Sequence, residues 1–160
     1  MTNEPLREDS QPAAAPPRGP YLQHAFFCEK ILQEGSVMSF IRQIDRVTMT
    51  IAGPDILGQE PPKPPYTCYL AIAFKSGEAR GSHRIKVVRQ QPSGLRDDNP
   101  LLNVDALFEG EDRGVGFQGP ITIGFENEGL YWFDVYVDDT LMTRMPFRVI
   151  FQRAILGPAN

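Results

Sequence analysis

Three sets of side chains in this 160-residue chain could do chemistry. The first is acidic: Glu109, Glu111 and Asp112 in one segment, Asp138 and Asp139 in another. If strand connections carry these five to one end of a β domain, their oxygens could hold calcium, which takes about six to eight oxygen ligands. The chain lacks the D-x-D-x-D-G spacing of a preformed calcium loop, and solvated acidic turns are the plainer reading. The second set is His24, His83, Cys28 and Cys68. A thiolate–imidazole dyad needs a thiol in an exposed, electropositive setting. Both cysteines instead sit inside apolar stretches, which favours free buried thiols over a disulfide or a nucleophile. No G-x-S-x-G, phosphate loop or His/Cys metal spacing occurs, so the sequence assigns no catalytic residue and no cofactor.

The third set is aromatic. Trp132 and Tyr136 lie at i and i+4 of an alternating stretch and share one side of it. Three readings compete: another layer of the chain covers them, such as the N-terminal segment or the C-terminal RAILGPAN; they anchor a protein interface, where Trp and Tyr are favoured; or their flat rings stack on a sugar. Arg84, Lys86, Arg144 and Arg148 would form a basic stripe if their strands are neighbours, or simply a solvated sheet face. The Pro61–Pro65 run (PPKPP) reads as a stiff surface loop.

The elements that must position these residues are strands. Gly129–Asp138 (GLYWFDVYVD) alternates strictly, with Tyr131, Phe133, Val135 and Val137 on one side and Leu130, Trp132, Asp134 and Tyr136 on the other. Further strands are expected at Tyr21–Lys30, Thr67–Lys75, His83–Gln90, Leu101–Phe108, Pro120–Phe125 and Leu141–Phe151. Val37–Ile51 reads as one or two strands bent near Gln43–Arg46, with a short helix at Val37–Gln43 as the fallback. Turns are expected at Glu34–Ser36, Lys75–Glu78 and Asp138–Asp139, and a Gly-rich acidic loop at Glu109–Gly119. Five prolines in Ala52–Tyr66 make that stretch a loop. The pattern, about eight short strands separated by turn signals and no long helix, is that of an all-β antiparallel β-sandwich, Ig-like or jelly-roll-like.

Composition agrees. An apolar fraction of 41% and ten Phe suit one β-rich core. A net charge of −4 argues against nonspecific nucleic-acid binding, and no apolar run approaches the roughly 20 residues that span a bilayer. Residues 1–20, rich in Pro, Ala and charge, read as a disordered tail with no apolar secretory core. The domain is expected over 21–152, a second tail over 153–160, and the compartment is expected to be cytoplasmic.

Asn127–Phe133 (NEGLYWF) resembles the tyrosine corner of immunoglobulin-like domains, with Tyr131 as the corner residue and Phe133 where antibody domains carry their second cysteine. The wider pattern of Phe26–Glu29 (FFCE), Ser39–Thr48 (SFIRQIDRVT), a proline-rich loop and EGLYWFDVYVDD…PFRV resembles a family of small bacterial proteins of unknown function, over roughly residues 22 to 151. That resemblance implies a bacterial β-sandwich and no activity. The function expected is a non-enzymatic interaction module that binds a protein partner or its own copies through a sheet face or edge. The rival is a carbohydrate- or calcium-binding module using Trp132 and Tyr136 or the acidic loops.

Overall fold

The computed structural model describes residues 18–52 and 61–154. The tail expected over 1–20 therefore lies, up to residue 17, outside the described residues, as do 155–160 of the C-terminal segment.

Seven strands follow in order: β1 (Tyr21–Glu34), β2 (Val37–Ile44), β3 (Arg46–Ala52), β4 (Tyr66–Gln90), β5 (Leu102–Ile123), β6 (Gly129–Val137) and β7 (Thr140–Ala154). Val37–Gln43 is strand, not helix, and the bend expected after it falls at Asp45. The sheet runs β2-β1-β4-β6-β7-β3, with β5 on β4. Every pairing is antiparallel except β3 with β7, which is parallel.

The count of about eight is corrected to seven because four expected strands are two. Thr67–Lys75 and His83–Gln90 are halves of β4; Leu101–Phe108 and Pro120–Phe125 are contained largely in β5. The residues read as the turn Lys75–Glu78 and the loop Glu109–Gly119 instead form the bend of one long β4–β5 hairpin. The ladder stays paired through it, with register shifts at Lys75/Gly77 and Gly77/Arg80. Glycine at a bulge and glycine at a reversal look alike in sequence, since both supply positive φ. Here Gly77, Gly110 and Glu111 have φ of 58°, 88° and 56°. Gly77 is also demanded by space: a Cβ there would stand 2.6 Å from the Tyr21 ring and 2.9 Å from the Arg18 carbonyl oxygen.

The bend lets one hairpin serve two layers. Residues 69–75 of β4 pair with β1, and 66–75 pair with 114–123 of β5. Residues 85–90 pair with β6, and 81–87 with 102–108 of β5. The layers then face each other. Phe27 of β1 packs edge-on against Phe133 of β6 and Phe147 of β7, at centroid distances of 4.9 and 5.3 Å, although β1 pairs with neither strand. Between the layers lie Cys68, Leu70, Ile72, Phe74, Ile85, Val87, Tyr131, Phe133, Val135 and Val137, all buried. The result is an all-β sandwich whose two layers belong to one continuous hydrogen-bonded sheet.

Candidate functional site

The side of β6 opposite the core carries Trp132, Asp134 and Tyr136. The strand register brings Gln90, Val88 and Lys86 of β4 beside them on one flank and Pro146, Arg144 and Leu141 of β7 on the other. Asp134 is 1% exposed, a carboxylate out of water. It is held by two cations: Arg144 Nε donates to Oδ1 at 2.6 Å and Arg96, from the 91–101 connection, donates to Oδ2 at 2.7 Å. Arg96 also donates to the Tyr136 hydroxyl at 2.8 Å, and Arg144 to Gln90 Oε1. The Arg144 guanidinium lies 5.0 Å from the Trp132 ring centroid, and Lys86 Nζ lies 5.5 Å from that of Tyr136. Cations therefore sit against both aromatic rings. The arrangement is a closed ionic lattice around one buried carboxylate, and Trp132 and Tyr136 are half-buried within it.

The basic stripe is absorbed in the same way. Arg84 makes a bidentate pair with Asp105 at 2.8 and 3.0 Å, which also holds the Asp105 carboxyl below its ordinary range. Its backbone N–H donates to Asp138 Oδ1 at 2.9 Å. Arg144 serves Asp134, while Arg148 lies exposed, with its backbone N–H donating to the Asp45 carbonyl.

The acidic residues are placed differently from the expected cluster of loops. Glu109, Glu111 and Asp112 lie in β5, at its bend, and only Asp138 and Asp139 occupy a two-residue hairpin turn, between Val137 and Thr140. Arg80 donates to the Glu109 carbonyl and faces Glu111 at 3.8 Å; Lys75 donates to the Asp112 carbonyl at 2.7 Å. Asp138 accepts from His83 Nδ1 at 2.9 Å. Among the described residues no three of His, Cys, Asp and Glu gather as metal ligands.

His83 uses both ring nitrogens, on Asp138 and on the Arg80 carbonyl at 3.0 Å, and stacks edge-on against Phe108. Cys28 and Cys68 are buried and unbonded to each other. Burial pushes the Cys68 thiol up to about 11, so almost no thiolate forms at neutral pH. His24 packs between Phe26 and Phe40, at centroid distances of 5.3 and 5.2 Å. The Tyr131 hydroxyl donates to the Asn127 carbonyl at 2.8 Å and accepts from the Asn127 N–H at 3.2 Å, which is the corner geometry the resemblance implied. The PPKPP segment has no regular structure. Its Lys63 donates to the Glu126 carbonyl beside an open cleft of about 420 Å³.

Sequence reasoning missed one surface. The last pairing row of β1 with β4 is at Cys28, but β1 and β2 continue as a two-stranded hairpin to Glu34 and Val37. This projecting hairpin exposes Val37 (65%), Leu32, Met38 and Ile41, the last three each more than a third exposed. Among the described residues strand β2 ends the sheet, so one of its edges has no partner strand there. The signal was present in VMSFI: apolar residues at both odd and even positions place side chains on both faces, more than a one-sided core can bury.

The other free edges are guarded. The outer edge of β5 carries Asp105, Glu109, Glu111, Asp112 and Pro120, residues that discourage strand addition. Edge strand β3 spans only seven residues and alternates buried Met49 and Ile51 with exposed Arg46, Thr48 and Thr50. Strand β2 contains no Lys, Pro or acidic residue, and its one charge, Arg42, is paired with Glu29 at 2.7 Å.

No curated protein matches this chain. Among solved structures, it is similar to an immunoglobulin-like protein from Pseudomonas aeruginosa at 14% identity, covering 81% of this chain and 94% of that chain, with a TM-score of 0.37. Residues 58–150, more than half of the chain, match a family of unknown function, DUF6941. The chain belongs to the DUF6941 family.

Proposed function

We propose that this protein is a non-enzymatic interaction module that takes up an extended strand along the free edge of β2. One observation carries the reading: β2 is an unguarded edge on a hairpin that projects past the body, with Val37, Met38 and Ile41 exposed. Strand addition draws affinity from main-chain hydrogen bonds and specificity from alternate side chains, and this edge offers both. The chemical groups elsewhere support the same reading. His83 is saturated, the Cys68 thiol is protonated, and the ionic lattice over Trp132 and Tyr136 is internally paired. A sugar platform on Trp132 would first have to displace the Arg144 guanidinium from its ring.

The test is photo-crosslinking in cells from position 37, with a second probe at Thr122 on the β5 edge as control. A discrete adduct, to another protein or to a second copy, is expected from position 37 and not from 122. No adduct above the control at position 37 would sink the reading.

A further inference from the structure

We infer that the strand added to β2 is β2 of a second copy, paired antiparallel about a twofold axis near Phe40. This rests on the strand-addition reading above and names its partner.

The pairing geometry comes from the hairpin. Residues Gly35 and Ser36 form a two-residue turn closed by the pair Glu34–Val37. The pair that closes such a turn exchanges both backbone hydrogen bonds, and bonded rows alternate from there. Met38 and Phe40 therefore turn their N–H and C=O groups away from β1, toward the free edge. A second β2 running antiparallel, with Phe40 at the axis, meets those groups with its own Phe40 and Arg42, so that Phe40 faces Phe40 and Met38 faces Arg42, and overlaps along most of the strand.

The side chains are self-complementary in that register. An isologous interface requires a patch that tolerates its own copy. The only charge on β2 is Arg42, already neutralised by Glu29 of its own chain. Around the axis it falls beside Met38 of the other copy, not beside a second arginine. Val37 and Ile41 lie on one face, Met38 and Phe40 on the other; Phe40 meets its own copy directly on one face, and Ile41 meets the second Ile41 on the diagonal of the other.

Sterics favour a copy as well. The hairpin extends beyond the last β1–β4 row at Cys28. In an antiparallel twofold pair the two bodies stand at opposite ends of the joined strands. A two-stranded ribbon is marginal alone, and the pairing turns two of them into one four-stranded sheet.

The experiment is size-exclusion chromatography with light scattering on the full chain across a concentration series, with amide exchange read over 37–44. The expected result is a mass approaching twice the 17.9 kDa of one chain, with β2 amides protected as the dimer forms. Met38→Pro removes an outward N–H and Ile41→Lys sets charges around the axis. Either should return the mass to one chain while near-ultraviolet circular dichroism stays that of the parent. The lysine variant serves if the proline variant loses its fold. A dimer that survives both substitutions, or a parent that is monomeric throughout, overturns the inference. A monomeric parent that still crosslinks from position 37 to another protein leaves the module reading standing; a monomeric parent with no such adduct removes both.

Discussion

Asp134 is the most constrained side chain on the outer face of the sandwich. At 1% exposure, its charge is stabilised among the described residues by the two arginines that flank it. Removing both in an Arg96→Ala/Arg144→Ala variant leaves a buried, uncompensated carboxylate, which costs about 3–5 kcal/mol. Asp134→Asn should cost less, about 1–3 kcal/mol, because the half-exposed arginines can turn to water. Denaturant melts of the two variants rank the effects. If the asparagine variant is the less stable, burying an unpaired carboxylate costs less than leaving the two arginines without their partner. The His83–Asp138 pair tests a different residue-scale effect. The bond to Asp138 raises the His83 pKa above 6.5, and the reciprocal bond, with the Arg84 N–H, lowers that of Asp138 below 3.8. Both groups are charged between those values, so their support is complete from above pH 3.8 to 6.5. It fades as pH rises through the raised value of His83, and again as pH falls through the lowered value of Asp138. The pair is partly exposed, so the whole effect should stay under about 1 kcal/mol. His83→Ala should flatten the loss of stability that sets in as pH rises above about 6.5, the ordinary histidine value, as read by thermal melts at each pH. Tyr131 and Phe133 were legible in the sequence because alternation and the glycine turn before them fix their direction. The ionic cover on Asp134 and Tyr136 was not, because Arg96 reaches them from a connecting segment about 40 residues away.

At the level of elements, the strands and their inward faces could be read from period-two alternation. Cys68, Leu70, Ile72, Phe74, Ile85 and Val87 are all buried as that pattern required. What could not be read was that β4 and β5 continue through their glycines, since a positive φ serves a bulge as well as a reversal. The edge of β2 was hidden for a related reason: an apolar strand reads as core until the sheet order shows which edge is left open. The bend makes its own prediction. Gly77→Ala forces a side chain into a left-handed backbone and against the Tyr21 ring, where glycine alone fits. It should destabilise the fold by more than about 1 kcal/mol. Gly35→Ala, with a similar φ of 60° but nothing within 4 Å, should cost less. Equal losses in a denaturant melt would mean that backbone strain acts alone and the contact with Tyr21 is unimportant.

For the whole molecule, the shared hairpin decides cooperativity. Sandwich layers that meet only through side chains can separate; here each layer contains half of the same two strands. Layer one cannot lose the ladder between 66–75 and 114–123 without releasing the strands that layer two uses at 81–90 and 102–108. The core crosses the gap as well, through Phe27 on Phe133 and Phe147. Unfolding should therefore be a single transition seen alike from both layers. The chain supplies a probe in each. Trp132, its one tryptophan, reports on layer two, and Cys68, buried with its thiol pushed up to about 11, reports on layer one. Tryptophan fluorescence and thiol labelling followed in parallel through a denaturant series should give coincident midpoints. Labelling of Cys68 well before any change at Trp132 would mean that the bend at Gly77 acts as a hinge and the layers unfold one at a time. Closure of the parallel β3–β7 pair, between residues about 100 positions apart, should also place folding in the millisecond-to-second range typical of β-sandwiches. Stopped-flow refolding monitored at Trp132 checks this, and a microsecond phase carrying the full amplitude would contradict it.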